Sequence, residues 1–496
     1  MATVPRLKNY VYGKWVEPDV SGWLDVHNPT TGGVIAECPL STPGAVSEAA
    51  DAAAEAYVEW SNTPVYRRCV PLLDLAAILR DREEEISRVL VLEQGKSLPD
   101  ARAEVKRLVE NTEVATGMPV MSQGDKVIGS SHGIDGEVLY LPVGVFGMIA
   151  PFNFPAMVPF WFMPYALACG NTYVVKASEL VPMTMQLVFE WIDEAGFPPG
   201  VVNLVNGAKE AGQALVEHPK VAGISIVGQS ETVQSVRVRC AELGKRCQAM
   251  GSAKNHLVAM PDANLRHVIR NMTTSCYGCA GQRCMASSAI VGVGDEMYGR
   301  LCDQFIEDSK KIIVTDPLDP AVADEEMVMG PVISRASLDR IHGLIETGVK
   351  EGATLDLDGR GIQVEGCEDG YFLGPTVFTD VEPGMEIHRT EIFGPVVVIL
   401  KAKDLDEAIG IVNDHRYGNG GSIYTQDGYA AREFKVNCQC GMIGINVGIP
   451  APVAYLPFGG MKDSQHAEIK AQGKAVVKFY TEEKIITERW WPAEED

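Results

Sequence analysis

Four short apolar stretches determine the predicted fold: VFGMIA (145–150), NTYVVK (171–176), VVNLV (201–205) and GISIV (223–227). Each stretch has the length and composition of a buried strand. Helical patterns over 183–196 and 208–218 separate the last three stretches. Strands that alternate with helices of this length predict a parallel, doubly wound sheet, which binds ligands at the carboxyl ends of its strands.

The same alternation starts again after Lys254. The strand patterns HLVAM (256–260) and SSAIVGV (287–293) are each followed by a helical pattern, the first near Leu265–Tyr277 and the second over 297–312. We therefore predict an α/β fold with two doubly wound parallel-sheet domains.

The two ends of the chain add further elements. Thr42 and Pro43 have the pattern of a capping residue and a first-turn proline, and they begin an alanine-rich helix. Patterns over 66–94 and 98–117 predict two more helices. Residues 474–491 alternate like a strand, and a late strand separated from its sheet often pairs with another subunit. We predict a small β flap there.

Composition excludes several classes of protein. The chain has 496 residues, which is enough for two or three domains and a large core. Its net charge of −23 excludes a broad nucleic-acid surface, which needs clustered Lys and Arg. Twelve scattered cysteines in so long a chain, with no leader pattern at the N-terminus, predict a protein of the reducing cytoplasm.

One segment raises the question of a membrane span. From Val138 to Val175 there is no charged residue, and that length could cross a bilayer. Prolines recur through it, at positions 142, 151, 155, 159 and 164. They would leave unpaired backbone groups in lipid, so we predict a buried strand, a proline-rich loop and a buried helix instead.

Motifs for cofactors and metals are few. The chain has neither a GxGxxG fingerprint nor a Walker A loop. Gly228 follows the strand GISIV and could place a helix N-terminus near a phosphate, although an ordinary turn has the same pattern. Cys276, Cys279 and Cys284 have C-x2-C-x4-C spacing, but paired histidine spacing is missing, so a zinc module is the lesser alternative.

Two side chains are candidates for chemistry. Cys284 lies in AGQRCMASS just before a strand, and its neighbour Arg283 favours the reactive thiolate. Asn153 lies in PFNFP directly after the strand VFGMIA, at an end where sites form, and its amide can donate to an oxyanion. A buried cysteine and a turn-capping amide are the alternatives.

Taken together, the motifs resemble the aldehyde dehydrogenase superfamily over nearly the whole chain. They are, in the family's order, IAPFNFPA, VVKASE, ISIVGQS, AGQRCMA, EIFGPV, GNGGSIYT, INVGIPAP and LPFGGMK. GSAKNH, MPDAN and INVGIPAPVAYLPFGG look most like its CoA-acylating methylmalonate-semialdehyde dehydrogenase branch. The resemblance implies an NAD-binding domain (1–120 and 141–252), a catalytic domain (253–448) and an oligomerisation flap (121–140 and 468–496) in a homodimer or homotetramer.

The resemblance also implies roles for residues. Cys284 would attack an aldehyde, while Asn153 and the Cys284 N–H donate to the oxyanion. Hydride leaves to NAD, and a thioester remains on Cys284. The residues at family cofactor positions are Ala150, Phe152, Lys176, Glu179, Leu180, Gln229, Gly251 and Glu391. Glu179 near the ribose 2′-hydroxyl favours NAD over NADP.

Met250 is the most informative departure from the hydrolytic members of the family. They carry a glutamate at this position, four residues before the lysine that is Lys254 here. That glutamate is the general base for water, and methionine cannot accept a proton. A thiol scarcely needs a base, because a few per cent is already thiolate near pH 7. Coenzyme A is therefore the implied acyl acceptor.

Two arginines match the branch residues that hold a substrate carboxylate, Arg107 and Arg283. The implied reaction converts methylmalonate semialdehyde to propionyl-CoA, or malonate semialdehyde to acetyl-CoA, with loss of CO2. A hydrolytic dehydrogenase that releases a free acid is the first alternative. A non-catalytic binding protein on the same fold is the second. No metal, nucleic acid or membrane partner is expected.

Overall fold

The computed structural model describes residues 4–492. Elements are numbered in chain order. The strands are β1 (Asn9–Val11), β2 (Lys14–Val16), β3 (Val20–His27), β4 (Val34–Ser41), β5 (Lys126–Ser131), β6 (Ile134–Pro142), β7 (Val145–Ile149), β8 (Thr172–Lys176), β9 (Val202–Val205), β10 (Val221–Val227), β11 (Arg246–Met250), β12 (His256–Ala259), β13 (Ala289–Val293), β14 (Ile313–Val314), β15 (Val328–Met329), β16 (Thr354–Leu357), β17 (Thr376–Thr379), β18 (Val396–Ala402), β19 (Tyr417–Gly418), β20 (Gly420–Tyr424), β21 (Met442–Ile445), β22 (Met461–Lys462) and β23 (Thr481–Glu488).

The helices are α1 (Pro43–Trp60), α2 (Val65–Arg68), α3 (Val70–Asp81), α4 (Glu83–Gln94), α5 (Leu98–Ala115), α6 (Met118–Met121), α7 (Met157–Phe160), α8 (Met163–Cys169), α9 (Met183–Glu194), α10 (Lys209–Glu217), α11 (Ser230–Glu242), α12 (Leu265–Tyr277), α13 (Asp295–Ser309), α14 (Arg335–Glu351), α15 (Glu386–Arg389), α16 (Leu405–Asp414), α17 (Gly428–Asn437) and α18 (Val477–Tyr480). Short 3₁₀ turns cover Gly278–Gly281 and Lys474–Val476.

The first large sheet has the order β11-β10-β7-β8-β9-β1-β2. Its strands β7 to β11 are parallel, and β1 joins β9 in the antiparallel sense. β7 lies between β8 and β10. The chain adds β8 and β9 on one side of β7 and then β10 and β11 on the other side. A crevice forms at such a switch point, at the carboxyl ends of the strands.

The second large sheet has the order β16-β17-β18-β13-β12-β20-β21. All its neighbours are parallel except the edge strand β16. The five residues of β13 and the four of β12 are all buried, as expected for strands covered by helices on both faces. The two sheets confirm the predicted α/β architecture.

A third sheet contains β23, β6 and β5, in that order. The late strand pairs along its whole length with β6 of the same chain, from Thr481 opposite Pro142 to Glu488 opposite Asp135. The prediction that this strand begins at residue 474 was wrong, because β23 begins at Thr481. Phe479 and Tyr480 lie in a helical turn because both rings pack on Phe146, with centroids 5.3 and 4.8 Å away.

Two other predictions concern the uncharged segment and the helix over 66–94. The uncharged segment runs from the second half of β6 through β7, a loop and the buried helices α7 and α8 into β8. The predicted buried strand and loop are confirmed, and the predicted buried helix is two short helices. Between residues 4 and 492, no helix is both long enough and apolar enough to cross a bilayer. The single helix predicted over 66–94 was wrong: it is three helices, because Pro71 starts a new first turn and Arg82 leaves helical geometry at φ −107°.

Candidate active site

The carboxyl ends of the strands in the first large sheet face the amino ends of the strands in the second. β11 leaves the first sheet at Met250, and after only five residues β12 enters the second sheet at His256. The carboxyl ends of the first sheet therefore lie near the amino ends of the second. Cys284 precedes β13 in that second sheet, so it lies at the junction.

The loop that carries Cys284 has an unusual backbone. Cys279 and Ala280 both have φ 51°, and Gly281 has φ 70°. A Cβ atom at Gly281 would collide with the carbonyl oxygen of Gly394. Glycine at 281 therefore lets the EIFGP segment, which contains Glu391, approach the nucleophile loop closely.

Two amides hold the backbone of Cys284 in place. Asn255 Nδ2 and Asn419 Nδ2 donate to the Cys284 carbonyl oxygen over 2.8 and 2.9 Å. Asn255 Oδ1 also accepts from Gly420 N at 2.9 Å, so the amino ends of β12, β13 and β20 are tied together. Sequence analysis missed both asparagines as site residues, although they lie in the motifs GSAKNH and GNGGSIYT.

Asn153 reaches the same loop from the first sheet. It is buried, and its Nδ2 donates to the carbonyl oxygen of Gln282 over 3.0 Å. Gln282 is two residues before Cys284, so the structure brings the two predicted catalytic side chains into one site. The amide nitrogen carries two hydrogens, and the bond to Gln282 uses one of them.

Burial dominates the acidity of the nucleophile candidate. It raises the pKa of the Cys284 thiol to about 12, and the negative charge of Glu391 acts in the same direction. Hydrogen bonds from backbone N–H groups and the charge of Arg283 oppose the rise. Cys284 is therefore a protonated thiol at neutral pH in the free protein.

This pKa predicts the pH dependence of Cys284 alkylation without cofactor. Because only the thiolate reacts, and its fraction grows tenfold per pH unit below the pKa, iodoacetamide labelling should rise about tenfold per unit from pH 7 to pH 10. Peptide mass mapping of the Cys284 peptide measures the rate. A plateau near pH 8.5, as for an ordinary thiol, would contradict the prediction.

The predicted cofactor residues lie around the crevice of the first sheet. Lys176 ends β8, and its Nζ is 2.7 Å from a carboxylate oxygen of Glu179. Ala150 is buried just after β7, and the Phe152 ring packs edge-on against Phe393 with centroids 5.8 Å apart. Leu180 is exposed at the same edge.

Gln229 and Gly251 lie at the next two strand ends. Gln229 is exposed and precedes the first residue of α11. Gly251 follows β11, and a Cβ there would be 2.5 Å from Ser230 Oγ and 2.7 Å from the Asp463 carbonyl oxygen. The position therefore has no room for any side chain, because Ser230 and the Asp463 backbone already fill the space beside it.

Glu391 lies across the junction from these residues. Its Oε1 accepts a hydrogen bond from Ala253 N at 2.9 Å. Burial raises the pKa of Glu391, while the Ala253 N–H and the Lys254 charge oppose the rise. Burial also lowers the pKa of Lys254 to about 7, against the attraction of Glu391.

The two predicted substrate arginines are each in an ion pair. Arg107 Nη1 is 2.6 Å from Glu110 Oε2 in a partly exposed pair within α5. Arg283 pairs with Asp100, whose other carboxylate oxygen accepts from Cys279 N at 2.8 Å. Burial raises the pKa of Asp100, but the Arg283 charge, the Cys279 N–H and smaller contributions from Lys96 and Ser97 together outweigh burial, so the pKa is lowered.

One helix connects these groups. Asp100, Glu104 and Arg107 are separated by four and three residues in α5, so they share one face of that helix. Arg283 reaches this face through Asp100, so the structure brings the two arginines to the same side of α5. Sequence analysis missed Asp100, because no local pattern links residue 100 with residue 283.

The zinc alternative finds no support in the placement of the cysteines. Cys276 Sγ donates to the Ser287 carbonyl oxygen at 2.9 Å, and Cys279 Sγ accepts from Arg283 Nε at 3.4 Å. Over the described part of the chain, no three His, Cys, Asp or Glu side chains are grouped so that they could hold a metal ion.

Comparison with known proteins decides the family. A profile of the aldehyde dehydrogenase family matches residues 15–486. The chain belongs to the aldehyde dehydrogenase family. The resemblance seen in the sequence is thereby confirmed.

Two relatives and two solved structures illustrate what this family member is similar to. Malonate-semialdehyde dehydrogenase 2 of Bacillus thuringiensis (strain Al Hakam) is 42% identical over 489 residues, 98% of this chain and 99% of the relative. Malonate-semialdehyde dehydrogenase 1 of Geobacillus kaustophilus (strain HTA426) is 41% identical over 485 residues, 98% of each chain.

The structure of methylmalonate-semialdehyde dehydrogenase from Oceanimonas doudoroffii is 37% identical and superposes with a TM-score of 0.96 over 99% of each chain. A provisionally named methylmalonate-semialdehyde dehydrogenase from Sinorhizobium meliloti 1021, complexed with NAD, is also 37% identical, with a TM-score of 0.97 over the whole of both chains. The predicted fold class is confirmed for this family member.

Proposed function

We propose that the chain catalyses the NAD-dependent, CoA-acylating oxidation of a short semialdehyde acid, either methylmalonate or malonate semialdehyde. Membership of the aldehyde dehydrogenase family supports the oxidation, and the names of the relatives support the substrate class. The observation that carries the choice of acyl acceptor is Met250, a residue without basic chemistry at the position of the family's general base.

The crevice of the first sheet fits a dinucleotide. Lys176 and Glu179 offer a donor and an acceptor at the end of β8, which suits the two hydroxyls of a ribose. The turn before α11 places a helix N-terminus at the switch point, where a pyrophosphate is favourable. Glu391 lies on the Cys284 side of the crevice, and its carboxylate can accept a hydrogen bond from the second ribose. Glu179 disfavours a 2′-phosphate, which supports NAD rather than NADP.

The chain's own residues carry the covalent steps. The Cys284 thiol gives its proton to solvent water, and the resulting thiolate sulfur bonds to the aldehyde carbon while the carbonyl π electrons move to the oxygen, which becomes an oxyanion. The free N–H of the Asn153 amide and the Cys284 N–H donate to that oxyanion. Bound NAD supplies the acceptor for the hydride that leaves the carbon. A thioester then remains on Cys284. The thiolate of coenzyme A attacks its carbonyl carbon, the Cys284 sulfur leaves as a thiolate, and the acyl group departs as acyl-CoA.

Met250 determines what releases the acyl group. Its side chain ends β11 and is 3% exposed, packed in the core of the first domain. A thioether accepts no proton, so a water molecule at this position stays a poor nucleophile with a pKa of about 15.7. A thiol with a pKa of about 8.5 is already partly ionised, so it attacks without help.

The arginines support a substrate with a carboxylate. Arg283 lies next to Cys284, and Arg107 lies two turns beyond Asp100 on the same face of α5. Guanidinium groups bind carboxylates in a fork geometry and carry five N–H donors, so the N–H groups of Arg283 and Arg107 that do not bind Asp100 and Glu110 would orient a short acid. A carboxylate β to the thioester carbonyl can leave as CO2, because that carbonyl accepts the electrons.

Hydrolysis to a free acid is the second candidate. The observation in its favour is Glu391, a carboxylate close enough for its charge to affect Cys284, with a raised pKa that suits a general base. Its bond to Ala253 N and its place at the proposed cofactor ribose favour a binding role instead.

The products separate the two candidates. With malonate or methylmalonate semialdehyde, NAD and CoA, mass spectrometry should find acetyl-CoA or propionyl-CoA and little free acid. The Met250→Glu variant supplies the missing base, so it should release free acid without CoA, while wild-type release stays at least about tenfold slower. Free acid as the main wild-type product would overturn the CoA proposal.

Assembly and location complete the proposal. We infer a homodimer or homotetramer formed through the flap, supported by the outer edge of β23, which is the edge strand of its sheet.

The three sheets support the division of the chain into three domains, which are 1–120 with 141–252, 253–448, and 121–140 with 468–496. Residues 1–3 and 493–496 lie outside the described residues. Twelve free cysteines support a reducing cytoplasm.

A further inference from the structure

A buried ion pair lies beneath the loop that carries Asn153. Lys96 Nζ and Glu104 Oε2 are 2.5 Å apart, and neither side chain is exposed to solvent. Lys96 lies just after α4, and Glu104 lies in α5. A buried pair of this kind contributes little net stability compared with apolar side chains of similar volume, so its function has to be sought in its other contacts.

Those contacts all go to one short segment. Lys96 Nζ donates to the Asn153 carbonyl oxygen at 2.8 Å and lies 4.1 Å from the centre of the Phe154 ring. Glu104 Oε1 accepts from Ala156 N at 2.9 Å and from Met157 N at 3.0 Å. The pair therefore fixes the loop at three backbone atoms, beginning with that of Asn153 itself.

We propose that Lys96 and Glu104 are positioning residues that set the place of the Asn153 amide at the oxyanion. This inference rests on the proposed function, in which Asn153 is the side-chain donor. The Asn153 backbone is fixed by Lys96 and its side chain by Gln282, so both ends of the residue are anchored. A misplacement of about 1 Å in such a donor costs about 100-fold in rate.

The long helix α5 supports this arrangement. α5 has 18 residues, and the face that carries Glu104 also carries Asp100, which holds Arg283 and the Cys279 N–H. One helix thus sets the loop of the oxyanion donor and the loop of the nucleophile. Sites are held accurately when their supporting side chains come from such regular elements.

The test variant removes both charges together, because a single change would leave an unpaired buried charge. Lys96→Met with Glu104→Gln should lower kcat about 10- to 100-fold, while KM for the semialdehyde and Kd for NAD change less than about threefold. In an Asn153→Ala background the same double change should lower kcat less than about threefold, because the donor that it positions is already gone.

A matched control uses an ion pair that joins α4 to α5 on the solvent side. Arg102 Nε is 2.9 Å from Glu84 Oε2, in a partly exposed pair that makes no contact with the loop. Arg102→Met with Glu84→Gln should leave kcat within about twofold. Glu104→Asp provides a second route if the double variant does not fold, because it keeps the charge but withdraws the carboxylate from Ala156 and Met157. It should show the same dependence on Asn153.

The outcomes are distinct. Unchanged kcat in the folded pair variants, or an equal loss with and without Asn153, would overturn the positioning role of Lys96 and Glu104. Unchanged kcat in Asn153→Ala alone would overturn the oxyanion role in the proposed function, and the positioning role with it. A loss confined to the background that retains Asn153 supports both.

Discussion

Replacement of Cys284 by alanine should lower kcat for NADH production by at least about 10⁴-fold, because no covalent intermediate can form without the sulfur. The fold should survive, since the amides of Asn255 and Asn419 bind the Cys284 carbonyl oxygen rather than its sulfur. Stopped-flow and steady-state NADH absorbance measure the loss, and thermal unfolding confirms the fold.

Cys302→Ala is the matched control for this variant. Cys302 is a buried thiol in α13, in the same sheet domain, and it is not part of the nucleophile loop. Its loss should leave kcat within about twofold. If Cys284→Ala kept more than a hundredth of the wild-type rate, another group would have to be the nucleophile.

Replacement of Asn153 by alanine should lower kcat about 10²- to 10³-fold, the usual cost of removing one oxyanion donor. KM should change little, because the amide acts on charge that develops only after the sulfur bonds to carbon. The bond to the Gln282 carbonyl oxygen is also lost, so unfolding should be easier by about 1 kcal/mol.

Asn153→Asp separates charge from shape. Aspartate has almost the same size, but an ionised carboxylate donates no hydrogen bond and repels an oxyanion. Its kcat should be at least as low as that of the alanine variant. A rise in KM with unchanged kcat in either variant would indicate that Asn153 binds the substrate and does not stabilise the oxyanion.

Local patterns predicted most of the regular structure. Apolar stretches separated by helical patterns located β7 to β10. The helix predicted near Leu265–Tyr277 begins and ends at those two residues in the structure. Local patterns failed where a distant contact decides the conformation. Residues 474–480 alternate like a strand, but Phe479 and Tyr480 pack against Phe146, more than 300 residues away in sequence.

The site shows the same limit. Cys284 and Asn153 could be predicted because each lies in a distinctive motif at the end of a strand. Their supports could not: Asn419 is 135 positions from Cys284, and Lys96 is 57 positions from Asn153. Such separations carry no local pattern, so only the tertiary structure shows that Asn419 supports Cys284 and that Lys96 supports Asn153.

The central claim is that Cys284 holds the acyl group until a thiol removes it. The most direct test mixes the protein with NAD and malonate semialdehyde in the absence of CoA, then quenches within one turnover and maps the Cys284 peptide by mass. The account predicts a burst of one NADH per active site, an acyl group on Cys284, and continuous turnover once CoA is added. NADH formed at the same steady rate with and without CoA, or an unmodified Cys284 after the burst, would contradict it.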